Sequence, residues 1–170
     1  MPGYLYGVKD NNIYVNLFAG NTSTIKVNGK DVVLEETTEY PWNGDIKIAV
    51  KKSGVKNANL LVRIPGWVRN QVVPSDLYKY SDAEKPAYTV TVNGKAVEAD
   101  LDANKGYLPV KNIKKGDVIR IHFDMPVRTV VANGKVADDK GNRPGDPLLV
   151  HGIPGESHSH HRETADSSNF

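Results

Sequence analysis

The sequence predicts an all-β chain, an antiparallel β-sandwich of jelly-roll or Ig-like kind with little or no helix. Three observations carry that expectation. The tetrapeptide Val27-Asn28-Gly29-Lys30 returns as Val92-Asn93-Gly94-Lys95, and Asn-Gly adopts the two left-handed positions of a type I′ turn, whose twist matches paired strands. Short runs of alternating apolar and polar residues are separated by turn formers at intervals of about ten residues, the spacing of sandwich strands. No window holds a dozen residues of helical periodicity.

Taken in order, residues 13–18 alternate apolar Ile13, Val15 and Leu17 with Tyr14 and Asn16, which reads as a half-buried strand. Residues 22–27 and 32–36 flank the first Asn-Gly turn, and residues 37–40 continue the second of these strands. Pro41-Trp42-Asn43-Gly44 then breaks the chain. Ile46, Ile48 and Val50 line one face of the next strand, and residues 60–64 form another that ends at Pro65-Gly66. Residues 70–86 are polar and mixed, and are expected to form an irregular loop at one end of the stack. Residues 88–92 and 96–98 flank the second Asn-Gly turn. A short strand follows at 107–110, and Lys114-Lys115-Gly116-Asp117 is a turn. In residues 118–123, Ile119, Ile121 and Phe123 oppose Val118, Arg120 and His122, and residues 127–131 supply a last strand.

Composition narrows the function classes. A chain of 170 residues suits one ordinary domain with an appendage, large enough to bury roughly two-thirds of its unfolded surface without a disulfide or metal. It has no Cys, which removes thiolate nucleophiles, disulfides and sulfur-ligated zinc together. The formal charge of +2 comes from 22 basic and 20 acidic residues spread along the chain, so no basic face invites nucleic acid. No apolar run approaches the roughly 20 residues that cross a bilayer. The N-terminus lacks a charged region followed by an apolar stretch, so no signal peptide is expected in it. Met1-Pro2-Gly3 running directly into strand-like sequence reads as a start inside a longer protein.

Candidate chemistry is sparse. His158, His160 and His161 form a short His-rich tract of the kind that binds metals, but a terminal tail offers no surrounding shell to fix ligands, so no functional metal is expected. His122 is read as part of a partly solvated sheet face. Glu35, Glu36, Glu39, Asp100 and Asp102 are read as surface acids, since no spacing marks two carboxyls about 5–10 Å apart across a sugar. Asp138, Asp139, Asn142 and Asp146 fit no calcium loop and are read as a turn. Trp42, Trp67 and Tyr107 are candidate stacking platforms for sugar rings. The preferred alternative for Trp42 and Trp67, each beside a Pro-containing turn, is that they plug the ends of the core. No Gly-x-Ser-x-Gly elbow or phosphate-cradling loop occurs. No catalytic residue, metal ligand or cofactor is assigned.

Several segments in succession carry a resemblance: GVKDNNIYVNLF at residues 7–18, Tyr40-Pro41-Trp42-Asn43-Gly44, LVRIPGW at 61–67 and VTVNGKAV at 90–97. Lys105-Gly106-Tyr107, KKGD at 114–117 and Met125-Pro126-Val127-Arg128 complete the series. Over residues 4–142 this succession resembles the non-catalytic β-sandwich of the β-L-arabinofuranosidase family, glycoside hydrolase family 127. The resemblance implies a bacterial enzyme whose helical (α/α)6 barrel carries a Cys nucleophile beside a zinc held by Cys and Glu. None of those motifs has a counterpart here. It therefore implies an accessory domain whose partner is that catalytic barrel, with a carbohydrate-binding module for plant-derived, arabinose-containing oligosaccharide as the alternative and an independent hydrolase as a third reading. The expected organisation is a sandwich over 4–135 and an extension over 136–154, where Pro147 to Val150 echoes a following strand. Residues 155–170 are expected to be a disordered or appended tail. Compartment and sugar specificity are left open.

Overall fold

The computed structural model describes residues 2–134 and, as backbone, residues 148–150. After a helical turn at Pro2–Leu5 the described chain is built of strands. They are β1 (Tyr6–Lys9), β2 (Asn12–Val15), β3 (Asn21–Val27), β4 (Lys30–Thr38), β5 (Asp45–Ser53), β6 (Asn59–Arg63) and β7 (Tyr78–Tyr80). The remainder are β8 (Tyr88–Val92), β9 (Lys95–Ala96), β10 (Tyr107–Val110), β11 (Val118–Phe123), β12 (Arg128–Ala132) and β13 (Leu148–Val150). A four-stranded sheet has the order β1-β2-β6-β10, a six-stranded sheet the order β3-β4-β5-β11-β8-β9, and a three-stranded sheet the order β13-β12-β7. The expected all-β sandwich is what forms. Its pairing is antiparallel except between β2 and β6, because the chain leaves the smaller sheet after β2, builds β3 to β5 in the larger one, and returns in the same direction.

Alternation decides which side chains meet between the two large sheets. Ile13, Val15, Leu60, Val62, Leu108 and Val110 face inward from the four-stranded sheet, and Val32, Leu34, Ile46, Ile48, Ile119 and Ile121 from the six-stranded one. Both Asn-Gly turns have positive φ at both residues: 48° and 76° at Asn28 and Gly29, 51° and 81° at Asn93 and Gly94. The Asn93 side chain also ties its hairpin to the KKGD turn. It donates to Asp117 Oδ1 at 2.9 Å and accepts from the Val118 N–H at 2.9 Å. Asp117 in turn accepts from the Lys114 N–H at 2.7 Å.

Two expectations are corrected. The stretch 70–86 is not wholly irregular, because Tyr78–Tyr80 pairs antiparallel with β12. The strand at 13–18 stops at Val15: the Asn16 N–H turns to the Leu5 carbonyl at 2.9 Å, and the Ala19 N–H goes to a carboxyl of β4 at 3.1 Å. The residues Asp138, Asp139, Asn142, Asp146, His158, His160 and His161, and all of 155–170, lie outside the described residues. In the described residues, no helix is long and apolar enough to cross a membrane.

Candidate functional site

At the end of the sandwich where β2 and β6 finish, aromatic and cationic side chains come together. LVRIPGW places Arg63 at the end of β6 and sends the chain through Pro65 into a 3-10 turn, Gly66–Arg69. That turn closes at Asn70, which is left-handed with φ 64°. Trp67 is thereby held edge-on to Phe123, with ring centroids 5.9 Å apart. Phe18 and Tyr40 complete the group, with Phe18 5.8 Å from each of Tyr40 and Phe123. A cleft of about 520 Å³ opens above them, lined by Asn16, Leu17, Tyr40, Arg63, Trp67 and Arg69 among others. Arg69 Nε is shut off from solvent with no hydrogen-bond partner among the described residues.

The three candidate platforms separate. Trp67 is half-buried and plugs the core as expected, while also lining the cleft. Tyr107 stands on the outer face of β10. Its ring meets Tyr14 edge-on at 5.3 Å, and its hydroxyl donates to Asn16 Oδ1 at 2.8 Å, which brings it to the rim of the same cleft. Trp42 is not a plug: it is 53% exposed, and Tyr40, two residues earlier, packs onto the core instead.

A second cleft, about 620 Å³, lies at 82–87 and 122–128 and contains Asp82, Glu84, His122 and Asp124. Two of its acids, Asp82 and Asp124, are engaged. Asp82 Oδ1 accepts from Arg128 Nη2 at 2.6 Å, and this bond holds its carboxyl below the usual range. Arg128 itself, from the Met-Pro-Val-Arg motif, is only 8% exposed, stacks over Tyr80 at 3.5 Å and donates to Asn70 Oδ1 at 2.7 Å. It therefore locks β12 onto the 70–82 segment. His122 sits between Asp45, 2.8 Å from Nδ1, and Asp124, 3.2 Å from Nε2. Its hydrogen bond to Asp45 raises its pKa. The side chain is half exposed, matching the solvated sheet face expected of it.

Glu36 also departs from the sequence expectation. It is 3% exposed rather than a surface acid. Its carboxyl accepts from the Tyr6 hydroxyl at 3.0 Å and the Ala19 N–H at 3.1 Å, and burial pushes its pKa up to about 7. Glu36 follows Val32 and Leu34 in the inward phase of β4, against the general tendency of carboxylates to lie outside. A glycosidase needs an elevated carboxyl at a cleft to protonate the leaving group. Here the carboxyl that is raised lies in the core and lines neither cleft. Among the described residues no group of His, Cys, Asp and Glu is placed to hold a metal ion.

The profile described as β-L-arabinofuranosidase, GH127 middle domain, matches residues 12–125. No curated protein matches the chain in sequence. Among solved structures, a GH127 β-arabinofuranosidase is 50% identical with a TM-score of 0.76, over 82% of this chain and 22% of its own. A GH127 β-L-arabinofuranosidase from Geobacillus stearothermophilus T6 is 26% identical with a TM-score of 0.61, over 79% of this chain and 19% of its own. A glycoside hydrolase at 31% identity has a TM-score of 0.58, over 76% of this chain and 19% of its own. The chain thus spans about a fifth of the length of these relatives. With its sandwich fold matched over that span, the chain belongs to the GH127 β-L-arabinofuranosidase family and is an accessory middle domain of it.

Proposed function

We propose that the sandwich serves as a non-catalytic support for the catalytic helical barrel of a β-L-arabinofuranosidase-like enzyme and hydrolyses nothing by itself. The observation that carries this reading is the separation of chemistry from access: among the described residues the carboxyl raised toward neutrality, Glu36, is buried, while in the cleft the carboxyl of Asp82 is paired with Arg128. The absence of Cys removes the thiolate such an enzyme would use. Incubating the 170-residue chain with an aryl β-L-arabinofuranoside should release no phenol above buffer. Turnover that survives repurification would overturn the reading.

One observation favours a second role. The exposed ring of Trp42 meets the requirement for a sugar platform, which a core Trp does not. Calorimetric titration with arabinan, arabinoxylan and arabinose oligosaccharides separates the two roles. Millimolar-range binding lost in Trp42→Ala would establish a carbohydrate module, and a flat titration leaves the supporting role alone.

A further inference from the structure

The chain contains four Asn-Gly steps, at Asn28, Asn43, Asn93 and Asn133. Each is chemically labile, because glycine has no Cβ to hinder attack of its backbone nitrogen on the preceding side-chain amide. The fold treats the four differently. Gly44 is buried, and a Cβ on it would stand 1.9 Å from the Phe123 carbonyl oxygen, so its backbone has no room to swing. Asn43 is held as well, donating to Glu39 Oε2 at 2.8 Å and accepting from the Asp45 N–H at 3.0 Å. Asn93 follows β8, which lies against β11. Its N–H donates to the Val118 carbonyl, its Nδ2 to Asp117 Oδ1, and its Oδ1 accepts from the Val118 N–H, each at 2.9 Å. Asn133 donates its N–H to the Leu77 carbonyl at 2.7 Å and its Nδ2 to the Asp76 carbonyl at 3.0 Å. Asn28 differs from all three. It follows β3, the edge strand of the six-stranded sheet, and both Asn28 and Gly29 are exposed. A Cβ on Gly29 would meet nothing within 4 Å. Among the described residues the Asn28 side chain has one hydrogen bond, from Nδ2 to Asn11 Oδ1 at 2.6 Å.

We propose that Asn28 is the deamidation site of this domain, the position at which the folded chain is modified spontaneously in water. The Gly29 nitrogen, having lost its proton to hydroxide, bonds to Asn28 Cγ, and the Cγ–Nδ2 bond breaks to release ammonia. Water then opens the resulting succinimide at either carbonyl. The product is aspartate or, with the main chain rerouted through Cβ and Cγ, isoaspartate. The net exchange is a water taken up and an ammonia released. The attack requires the left-handed turn at Asn28, φ 48°, to open. An Asn tethered beside an edge strand is released by a smaller local opening than one bonded through main chain and side chain to a further strand. The tetrapeptides at 27–30 and 92–95 are identical, so their intrinsic reactivity is the same and the fold alone separates them. The product also cuts a tie between the two large sheets, because Asn11 lies in the β1–β2 turn. A carboxylate at position 28 has no proton to donate to Asn11 Oδ1.

The test incubates the folded 170-residue chain in warm, mildly alkaline buffer and follows all four sites by peptide mapping and mass spectrometry. Electron-transfer fragmentation distinguishes isoaspartate from aspartate, and a parallel sample is held unfolded in urea. In the folded sample Asn28 should convert on the order of tenfold faster than Asn43 or Asn93. In urea Asn28 and Asn93 should convert at equal rates. Asn11→Ala, which frees Asn28 Nδ2, should speed conversion at Asn28 and leave Asn93 as it was. Asp117→Ala, which frees Asn93 Nδ2, should speed Asn93 and leave Asn28 as it was. The proposal is overturned if Asn43, Asn93 or Asn133 converts in the folded chain as fast as Asn28. It is equally overturned if Asn28 keeps its amide in the folded chain while losing it in urea.

Discussion

The carboxyl of Glu36 accepts hydrogen bonds from Tyr6 and the Ala19 backbone, yet forms no ion pair among the described residues. With its pKa raised to about 7 from the usual 4.5, the folded protein keeps a proton that the unfolded chain has already released between those values. Stability therefore falls as pH rises through that window and levels off above it, by a total on the order of 3 kcal/mol. Glu36→Gln should remove this decline, since an amide oxygen still accepts from Ala19. The variant is expected to melt higher than the parent at pH 8 and to approach it at pH 4, as thermal denaturation at each pH will show. At Gly44 the constraint is space rather than charge. A Cβ there would stand 1.9 Å from the Phe123 carbonyl oxygen, and Phe123 donates its own N–H to Gly44 at 3.1 Å. Gly44→Ala must push two strands apart and should cost about 1–3 kcal/mol in urea denaturation. That spacing explains why Gly44 closes the Tyr-Pro-Trp-Asn-Gly motif, where sequence alone showed only a turn former.

β11 is held on both edges, by β5 and by β8, and sends Ile119, Ile121 and Phe123 into the core. Ile121→Ala is expected to destabilise by about 2–5 kcal/mol, against roughly 0.5 kcal/mol or less for Arg120→Ala on the solvent face, both read from chemical denaturation midpoints. Strands of this kind are legible in a sequence because alternation is a local property: Ile46, Ile48 and Val50 announced their face without reference to any partner. β7 was not legible, since Tyr78-Lys79-Tyr80 becomes a strand through pairing with Val130 to Ala132, some fifty residues later. The parallel contact of β2 with β6 was hidden for the same reason, as three strands of the other sheet intervene. Sequence likewise offered Trp42 and Trp67 as equivalent plugs. Only the path of each turn decided that Tyr40 takes the inner place and Trp42 the outer one.

At the scale of the whole molecule, stability rests on apolar burial between the two large sheets, while the Arg128–Asp82 pair holds β12 to the segment that carries β7. No disulfide contributes. A reducing agent and a chelator should accordingly leave the melting temperature unchanged within about 1 °C, and a drop on adding EDTA would point to a metal that the fold requires. The outer row Gly7, Tyr14, Leu61, Pro109 also belongs to this scale, because it is assembled from four separate strands.

By itself the sequence determined the all-β class, the two Asn-Gly hairpins, most of the core and the family. Each of these depends on local conformational preference, on alternation along one strand, or on the order of short motifs. The tertiary structure alone decided strand order, the burial of Glu36, the anchoring of Arg128 and the apolar outer row. Each of those depends on which distant segment arrives as a neighbour, and that is set by how two twisted sheets stack rather than by any residue's own preference.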